Sequence, residues 1–342
     1  MTQADILPGL PDALAAVPPK ASTYEARTLD EAIARSHALL DEVCERWPAE
    51  RILMLISGGN DSTLLGHLMR DRADTIVFIN TGIGIPATRR YVHDIAGAWG
   101  KQIIEARPPD AYRDLVLGRV LARTGPNAGI RPVWKGFPGP AGHPIMYQRL
   151  KERALEQVRR DLVGPRGKSG QIVFLGGMRW SESKRRFRTS AEIDHEGAII
   201  WCSPIVHWTL GHLAEYRERH RCVLGHVHAE HMLCHPDALP LNEVTVHLHM
   251  SGDCLCGCYA KEGEIAGIEL FAPEIAEQIH AIEAEARACG IPPEWCTWGW
   301  GATAPGSPPV AGRLCSKCAP PIPGQLVIGE DAADQQPEKV VV

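Results

Sequence analysis

Residues 53–69, LMLISGGNDSTLLGHLM, constrain the fold more than any other stretch of the sequence. An apolar run stops at Ser-Gly-Gly-Asn-Asp-Ser, and an apolar pattern with helical spacing then begins. This order predicts a buried strand, a tight loop and the start of a helix. In an open parallel sheet such a loop lies at the carboxyl edge, where ligands bind.

Strand and helix patterns alternate along much of the chain, which favours an α/β fold. The predicted strands are at residues 51–56, 75–80, 101–106, 171–176 and 199–201. The predicted helices are at residues 28–46, 62–72, 87–99, 111–123, 146–160, 207–219 and 273–289. We expect a doubly wound, mostly parallel sheet with helices on both faces.

Charge and composition limit the partners of the chain. The net charge of −5 gives no global sign of a nucleic-acid or membrane partner. No apolar run approaches the roughly 18 residues of a membrane helix, and no secretory signal is recognisable, so we expect a cytoplasmic protein without a membrane partner. In that reducing compartment the 11 cysteines favour metal or redox sites over disulfides.

The loop at residues 57–62 has the chemistry of a phosphate cradle. Two glycines allow a sharp turn that points several N–H groups into one concavity. The positive end of the following helix lies beside them, and the hydroxyls of Ser57 and Ser62 add donors. The loop contains no lysine, so it is not a Walker A loop.

The string S-G-G-x-D-S after a strand resembles the PP-loop of the adenine nucleotide α-hydrolase-like superfamily. Later segments resemble the phosphoadenosine phosphosulfate (PAPS) reductase family in the same order. The first of these segments are FINTG at residues 78–82, IPATR at 85–89 and GFPGP at 136–140. The later ones are GGMR at 176–179, ES at 182–183, RR at 185–186 and PIVHWT at 204–209. The resemblance covers about residues 50–260.

The resemblance implies that an adenine nucleotide, either ATP or APS/PAPS, binds at the sheet edge. The residues that would hold its phosphates are Ser57, Gly58, Gly59, Asp61 and Ser62. The loop that would border the adenosine contains Asn80, Thr81 and Gly82. The basic candidates for the sulfate or phosphate end are Arg149, Lys151, Arg179 and Arg186. As catalytic residues we single out Asp61, Ser62, Arg179 and Arg186. The alternative for each arginine is that it lies on a solvated helix face and has no role in the site.

Two groups of cysteines have the spacing of metal ligands. Cys254, Cys256 and Cys258 lie within five residues, and Cys315 and Cys318 form a C-x-x-C pair. We expect Cys254, Cys256, Cys315 and Cys318 to bind one metal centre, with Cys258 as a substitute. The layout resembles that of the family's iron–sulfur reductases and so favours a [4Fe–4S] cluster, with zinc or free thiols as alternatives.

With this resemblance, the chain divides into four predicted parts. They are an N-terminal extension and helix at residues 1–48, a PP-loop nucleotide-binding α/β domain at 49–222, a helical, cysteine-rich metal-cluster region at 223–318, and a disordered tail at 319–342.

Three functions fit these patterns. The first is a PAPS/APS reductase-like oxidoreductase of sulfur metabolism, although the family's C-terminal E-C-G-x-H-type cysteine motif does not occur after Cys318. The second is a PP-loop sulfurtransferase that adenylates tRNA or the DNA backbone with ATP and Mg²⁺ and then inserts sulfur. The third is an inactive nucleotide-binding subunit of a larger assembly. A thioredoxin-like protein or a cysteine desulfurase is the expected thiol or sulfur donor.

Overall fold

The computed structural model describes residues 27–163, 171–182, 190–222, 237–261 and 263–300. Six strands form one sheet with the order β3-β2-β1-β4-β6-β5, in which only the pairing of β5 with β6 is antiparallel. The strands are β1 (Ala49–Leu55), β2 (Thr75–Ile79), β3 (Gln102–Ala106), β4 (Gln171–Leu175), β5 (Ile193–Glu196) and β6 (Ile199–Cys202). The expected α/β fold with a mostly parallel sheet is confirmed.

Ten α-helices occur in the described part of the chain. They are α1 (Leu29–Arg46), α2 (Asn60–Met69), α3 (Pro86–Ala98), α4 (Tyr112–Val116), α5 (His143–Tyr147), α6 (Arg153–Val163), α7 (Leu210–Arg219), α8 (Glu243–Leu248), α9 (Glu264–Phe271) and α10 (Pro273–Ala288). A single π-helical turn, Gln148–Glu152, joins α5 to α6. None of the helices in the described ranges is long and apolar enough to cross a membrane.

The two faces of the sheet bury alternate residues of the same strands. Met54 and Val173 pack in the cluster that contains the apolar faces of α1, α2, α3 and α7. Their neighbours Leu53 and Phe174 pack on the other face, in the cluster that contains residues of α6. Strands that are buried on both faces read as continuous apolar runs, which is why the sequence reveals them. Helices therefore cover both faces, as expected.

The first helix begins where the sequence predicts. The Thr28 hydroxyl accepts a hydrogen bond from the Glu31 backbone N–H at 3.2 Å, and the Glu31 carboxylate accepts one from the Thr28 N–H at 3.2 Å. This reciprocal capping box satisfies donors that the first turn otherwise leaves unpaired.

The predicted helix at 111–123 is wrong after its first turns. It ends at Val116, and Gly118, with φ of +71°, turns the chain away. Residues 120–133 instead form an antiparallel hairpin with a bridge between Leu121 and Pro132. The predicted helix at 146–160 begins earlier, at His143, and contains the π turn. Sequence patterns also missed β5, α8 and α9, which are short.

A second apolar core lies beyond the carboxyl edge of the sheet. It joins Ile83 and Leu115 from the first half of the chain to Leu255, Ile279 and Trp298 from the second. The cysteine-containing segment is therefore packed as part of the folded body. The domain boundary expected at residue 222 stays a prediction, since residues 223–236 lie outside the described ranges.

We expect Ser36→Ala to lower the free energy of unfolding by about 2 kcal/mol, because it leaves a buried donor without a partner. The Ser36 hydroxyl accepts a hydrogen bond from Trp208 Nε1 at 2.9 Å and can donate one to the Pro204 carbonyl oxygen at 2.7 Å. These two bonds link α1 to the segment after β6. Urea unfolding measures the change. In a double-mutant cycle with Trp208→Phe the two losses should be less than additive, and full additivity would contradict the proposed link.

Candidate functional site

The loops after β1 and β4 meet where the direction of winding of the sheet changes. The chain leaves β1 through α2 toward β2 on one side, whereas β4 pairs with β1 on the other side. At such a switch point the two loops diverge and leave a crevice at the carboxyl edge. Residues 57–59 after β1 and residues 176–179 after β4 border this crevice.

The loop after β1 is shaped by one glycine and two serines. Gly58 has φ of +78°, and a Cβ there would lie 2.7 Å from Thr88 Cγ2, so only glycine fits. The Ser62 hydroxyl accepts from the Ser57 N–H at 3.2 Å and lies 3.1 Å from the Ser57 hydroxyl. These bonds curl the loop around the first turn of α2, which begins after Gly59. The geometry agrees with the predicted strand, loop and helix start.

A buried ion pair joins this helix start to the loop after β4. Arg179 is 2% exposed, and its Nη2 and Nε lie 2.9 and 3.0 Å from Asp61 Oδ2. Arg179 Nη1 also donates to the Ser181 hydroxyl at 2.7 Å. Gly177 allows the close approach, since a Cβ there would lie 3.2 Å from Ser62 Cα. The structure thus brings together three residues that the sequence singled out.

The loop after β2 forms the next part of the edge. The Asn80 side chain donates to Glu105 Oε1 at 2.8 Å and accepts from the Gly82 N–H at 3.0 Å. Thr81 is buried and donates to the Asp253 carbonyl oxygen at 2.9 Å. A cavity of about 260 Å³ opens beside this loop, and its lining includes Phe78, Asn80, Pro86, Arg89, Asp253 and Gln278.

Glu105 collects several hydrogen bonds at the rim of this cavity. Burial alone would raise the pKa of its carboxyl group, but hydrogen bonds from Asn80, His93, Arg107 and Arg89 lower the pKa to about 2. Glu105 is therefore ionised at neutral pH and fixes the Asn80 amide toward the end of β2.

The cysteine-containing segment, residues 251–258, is hydrogen-bonded to the edge of the sheet. The Ile85 N–H donates to the Gly252 carbonyl oxygen, and the Leu255 N–H donates to the Ile83 carbonyl oxygen, both at 2.7 Å. The Thr88 hydroxyl donates to the Ser251 carbonyl oxygen at 2.6 Å.

Buried Asn242 extends this connection to the loop after β1. Its side-chain amide donates to the Gly58 carbonyl oxygen and to the Thr88 hydroxyl, both at 3.0 Å. Sequence reasoning missed Asn242, Ser251 and Asp253, because each is a single polar residue without a local pattern.

The three thiols of this segment converge. The Cys256 and Cys258 sulfurs are 3.4 Å apart, and Cys256 also has a hydrogen bond with Cys254. The hydrogen bond with Cys254 lowers the pKa of Cys256, but the bond with Cys258 and burial raise it to about 12. The hydrogen bond with Cys256 and burial likewise raise the pKa of Cys254.

Such thiols lose their protons readily only to a bound cation, so the donor set suits a soft metal centre. Within residues 27–300, as far as they are described, no group of three or more His, Cys, Asp or Glu side chains has the arrangement of a metal site. The expected metal centre at Cys254, Cys256, Cys315 and Cys318 therefore stays a prediction. Cys315 and Cys318 lie outside the described residues, as do Arg186 and the histidines between residues 226 and 235.

Two of the predicted basic residues are paired with carboxylates. Arg149 is nearly buried, and its Nη1 lies 3.1 Å from Asp110 Oδ2. Lys151 Nζ lies 2.5 Å from Asp253 Oδ2, one residue before Cys254. Burial lowers the pKa of Lys151, but the charge and hydrogen bond of Asp253 together with the nearby Cys254 and Tyr147 raise it more, so the ammonium is charged. Lys151 therefore contacts the cysteine segment, whereas Arg149 contacts Asp110 in the loop after β3.

Comparison with protein-family models finds no match, and neither does comparison with curated proteins. Among solved structures the chain is similar to phosphoadenylyl-sulfate (PAPS) reductase from Candida auris, determined as a phosphate complex. The sequence identity is 13%, the match covers 65% of this chain and 91% of that chain, and the TM-score is 0.38.

We expect Asp61→Ala to lower the free energy of unfolding by about 3 kcal/mol, because it removes the carboxylate oxygen that two nitrogens of the buried Arg179 guanidinium contact. Urea unfolding measures the change. Asp71→Ala, at an exposed aspartate just after α2, is the matched control and should change stability by less than about 0.5 kcal/mol. Equal effects of the two substitutions would contradict a structural role for the ion pair.

The lowered pKa of Glu105 predicts that the free energy of unfolding decreases in acid. Its pKa is lowered from 4.5 to about 2 in the folded chain, so its contribution is fully present above its unfolded pKa and is lost as the pH falls toward 2. Between about pH 5 and pH 3, the wild type should lose about 1–2 kcal/mol more stability than Glu105→Gln. Urea unfolding at each pH tests this, with the exposed Glu274→Gln as control; parallel curves for wild type and Glu105→Gln would refute it.

Proposed function

We propose that this protein is an enzyme of sulfur chemistry that binds an adenine nucleotide in the crevice between the loops after β1 and β4. One observation carries the proposal: the three-cysteine segment is hydrogen-bonded to the loop after β2 and, through Asn242, to the glycine-rich loop after β1. Thiols and a phosphate cradle at one edge suit a reaction that joins nucleotide activation to sulfur transfer or reduction.

The nucleotide phosphates would lie against residues 57–62. The backbone around Gly58 and Gly59 and the N-terminus of α2 would receive the negative charge, and Ser57 and Ser62 would donate hydrogen bonds. Arg179 lies at the same place and can exchange part of its contact with Asp61 for phosphate or sulfate oxygens. The adenosine would border residues 80–82 and the neighbouring cavity.

The three-cysteine segment would supply half of a metal site. Cys254 and Cys256, with Cys315 and Cys318, would hold a [4Fe–4S] cluster, with zinc as the alternative. A bound cluster would supply electrons or sulfur to the reaction. The Asp253 carboxylate holds the Lys151 ammonium beside this segment, where its positive charge favours the thiolate form of Cys254.

Two reactions remain, and they differ in the bond that breaks. With APS or PAPS, a thiolate attacks sulfur, the nucleotide leaves, and a second thiol releases sulfite as a disulfide forms. With ATP and Mg²⁺, an acceptor oxygen attacks the α-phosphorus and pyrophosphate leaves. A sulfide-level sulfur from the donor then displaces the adenylated oxygen, which leaves as part of AMP. Of the three thiols in the segment 251–258, Cys258 is the one outside the proposed ligand set, and it is 2% exposed. A thiol buried in this way is poorly placed to exchange with a donor protein, which favours the second reaction.

We expect Ser62→Ala to weaken nucleotide binding about tenfold, because it removes the hydroxyl that both shapes the loop and faces the phosphates. Titration calorimetry with ATP, APS and PAPS on the anaerobically purified full chain measures binding. Thr124→Ala, at an exposed hydroxyl outside the site, is the control and should bind as the wild type does. Absence of nucleotide binding by the wild type would overturn the proposal.

Turnover and metal content separate the alternatives. Sulfite release from APS or PAPS supports the reductase, whereas acceptor-dependent pyrophosphate release from ATP supports the sulfurtransferase. Iron with absorbance near about 400 nm, lost in Cys254→Ser and Cys256→Ser, supports the cluster. A colourless zinc protein would refute the iron–sulfur part and leave the nucleotide part to be judged by binding alone.

A further inference from the structure

One part of this acidic chain is strongly basic. Residues 115–151 contain no aspartate or glutamate but six lysines and arginines, whereas the whole chain has a net charge of −5. This segment runs from the end of α4 to the π turn before α6. The average composition conceals it, because acidic residues elsewhere outnumber the basic ones.

The hairpin at residues 120–133 carries much of this charge outward. Backbone hydrogen bonds between Ala122 and Arg131 and between Val120 and Val133 hold its two arms together, both at 2.9 Å. Residues 123–131 are all exposed, and Ile130 is 78% exposed at the tip. The hairpin therefore projects beyond the carboxyl edge, next to the second apolar core.

The acidic residues near the hairpin do not neutralise it. Asp110 is shared by three arginines: Arg149 at 3.1 Å, Arg153 at 3.3 Å and Arg123 at 3.6 Å. Glu285 pairs with Arg113 and Arg119, both at 2.6 Å, and Asp114 pairs with Arg119 at 3.5 Å, so this second group is balanced and the excess lies at Asp110. Where several cations share one carboxylate, the surface retains excess positive charge.

Two further cations of the segment extend this charge. Arg131 and Lys135 are exposed and form no ion pair with any residue in the described ranges. Within the described ranges the hairpin and its base therefore carry net positive charge, and the acidic side chain that contacts them is Asp110, against Arg123.

Exposed aromatic rings lie beside this charge. Tyr147, two residues before Arg149, is 47% exposed, and Tyr259, directly after Cys258, is 49% exposed. The His143 ring lies between them, with its centroid 5.9 Å from that of Tyr147 and 4.8 Å from that of Tyr259. Aromatic faces beside a cationic groove are the combination that binds single-stranded nucleic acid: bases stack and phosphates pair.

We propose that the hairpin at 120–133 and the ring cluster of His143, Tyr147 and Tyr259 bind a single-stranded stretch of nucleic acid and lead it toward the cysteine segment. Arg123, Arg131 and Lys135 contact phosphates, and the rings stack on one or two bases. As a statement about the acceptor this rests on the proposed function, and it identifies the acceptor class as a nucleic acid. As a statement about binding it stands independently.

Fluorescence anisotropy with a labelled 20-nucleotide single strand, in RNA and DNA versions, tests the surface on the full chain. The triple variant Arg123→Ala/Arg131→Ala/Lys135→Ala should bind about tenfold or more weakly, and the slope of log affinity against log salt should become shallower by about two. A matched variant, Arg51→Ala/Arg160→Ala/Arg221→Ala, removes the same charge outside the segment and should bind as the wild type does. Equal losses in the two variants would overturn the proposal.

The aromatic part has its own readout. Tyr147→Leu and Tyr259→Leu should each weaken binding about 5- to 100-fold on an ordinary strand, whereas Phe at either position should preserve it. On an abasic strand of the same length the Leu variants should match the wild type, and an undiminished Leu effect there would overturn the stacking role. Equally tight binding of polyglutamate would overturn the nucleic-acid assignment in favour of an acidic protein.

The nucleotide site is measured separately. The triple hairpin variant should retain ATP or APS binding, and Ser62→Ala should retain binding of the strand. If the wild type binds the strand but no nucleotide, the proposed function fails and this inference stands. If it binds nucleotide but no strand, the inference fails and the proposed function stands.

Discussion

The buried side chain of Asn242 links the glycine-rich loop after β1 to the start of α3 and to the cysteine segment. It is 1% exposed, donates to the Gly58 carbonyl oxygen and to Thr88, and accepts from the Val244 N–H at 3.1 Å. A buried amide is stable only when its donors and acceptor are all paired, so its surroundings are fixed in one arrangement. The glycine-rich loop, the start of α3 and the cysteine segment consequently hold one relative position.

The topology of the sheet explains why a crevice opens at this position. The chain winds from β1 to β3 in one direction and then returns past β1 to β4, so the loops after β1 and β4 separate at the carboxyl edge. The Asp61–Arg179 ion pair crosses that gap and holds the two loops at a fixed distance. Arg179 can be both structural and functional, since a phosphate oxygen can replace a carboxylate oxygen against the same guanidinium.

The sequence predicted the parts of the fold that depend on local pattern. Apolar runs revealed β1, β2 and β4 because both of their faces are buried, and the Thr28 capping box located the start of α1. The predicted helix at 111–123 was wrong because residues 120–133 pair across a turn. Pairings such as Lys151 with Asp253, 102 positions apart, have no local pattern that a sequence could reveal.

The position of the basic hairpin follows from the same topology. It lies between β3 and the turns that lead to α6, so it emerges at the carboxyl edge that also carries the phosphate cradle. Tyr112, at the start of α4 just before the hairpin, donates to the Cys256 carbonyl oxygen at 2.8 Å and fixes the hairpin base to the cysteine segment. In the function proposed above, this one connection holds the surface that attracts a polyanion and the thiols that react at sulfur in a fixed relation, which a small nucleotide substrate alone would not require.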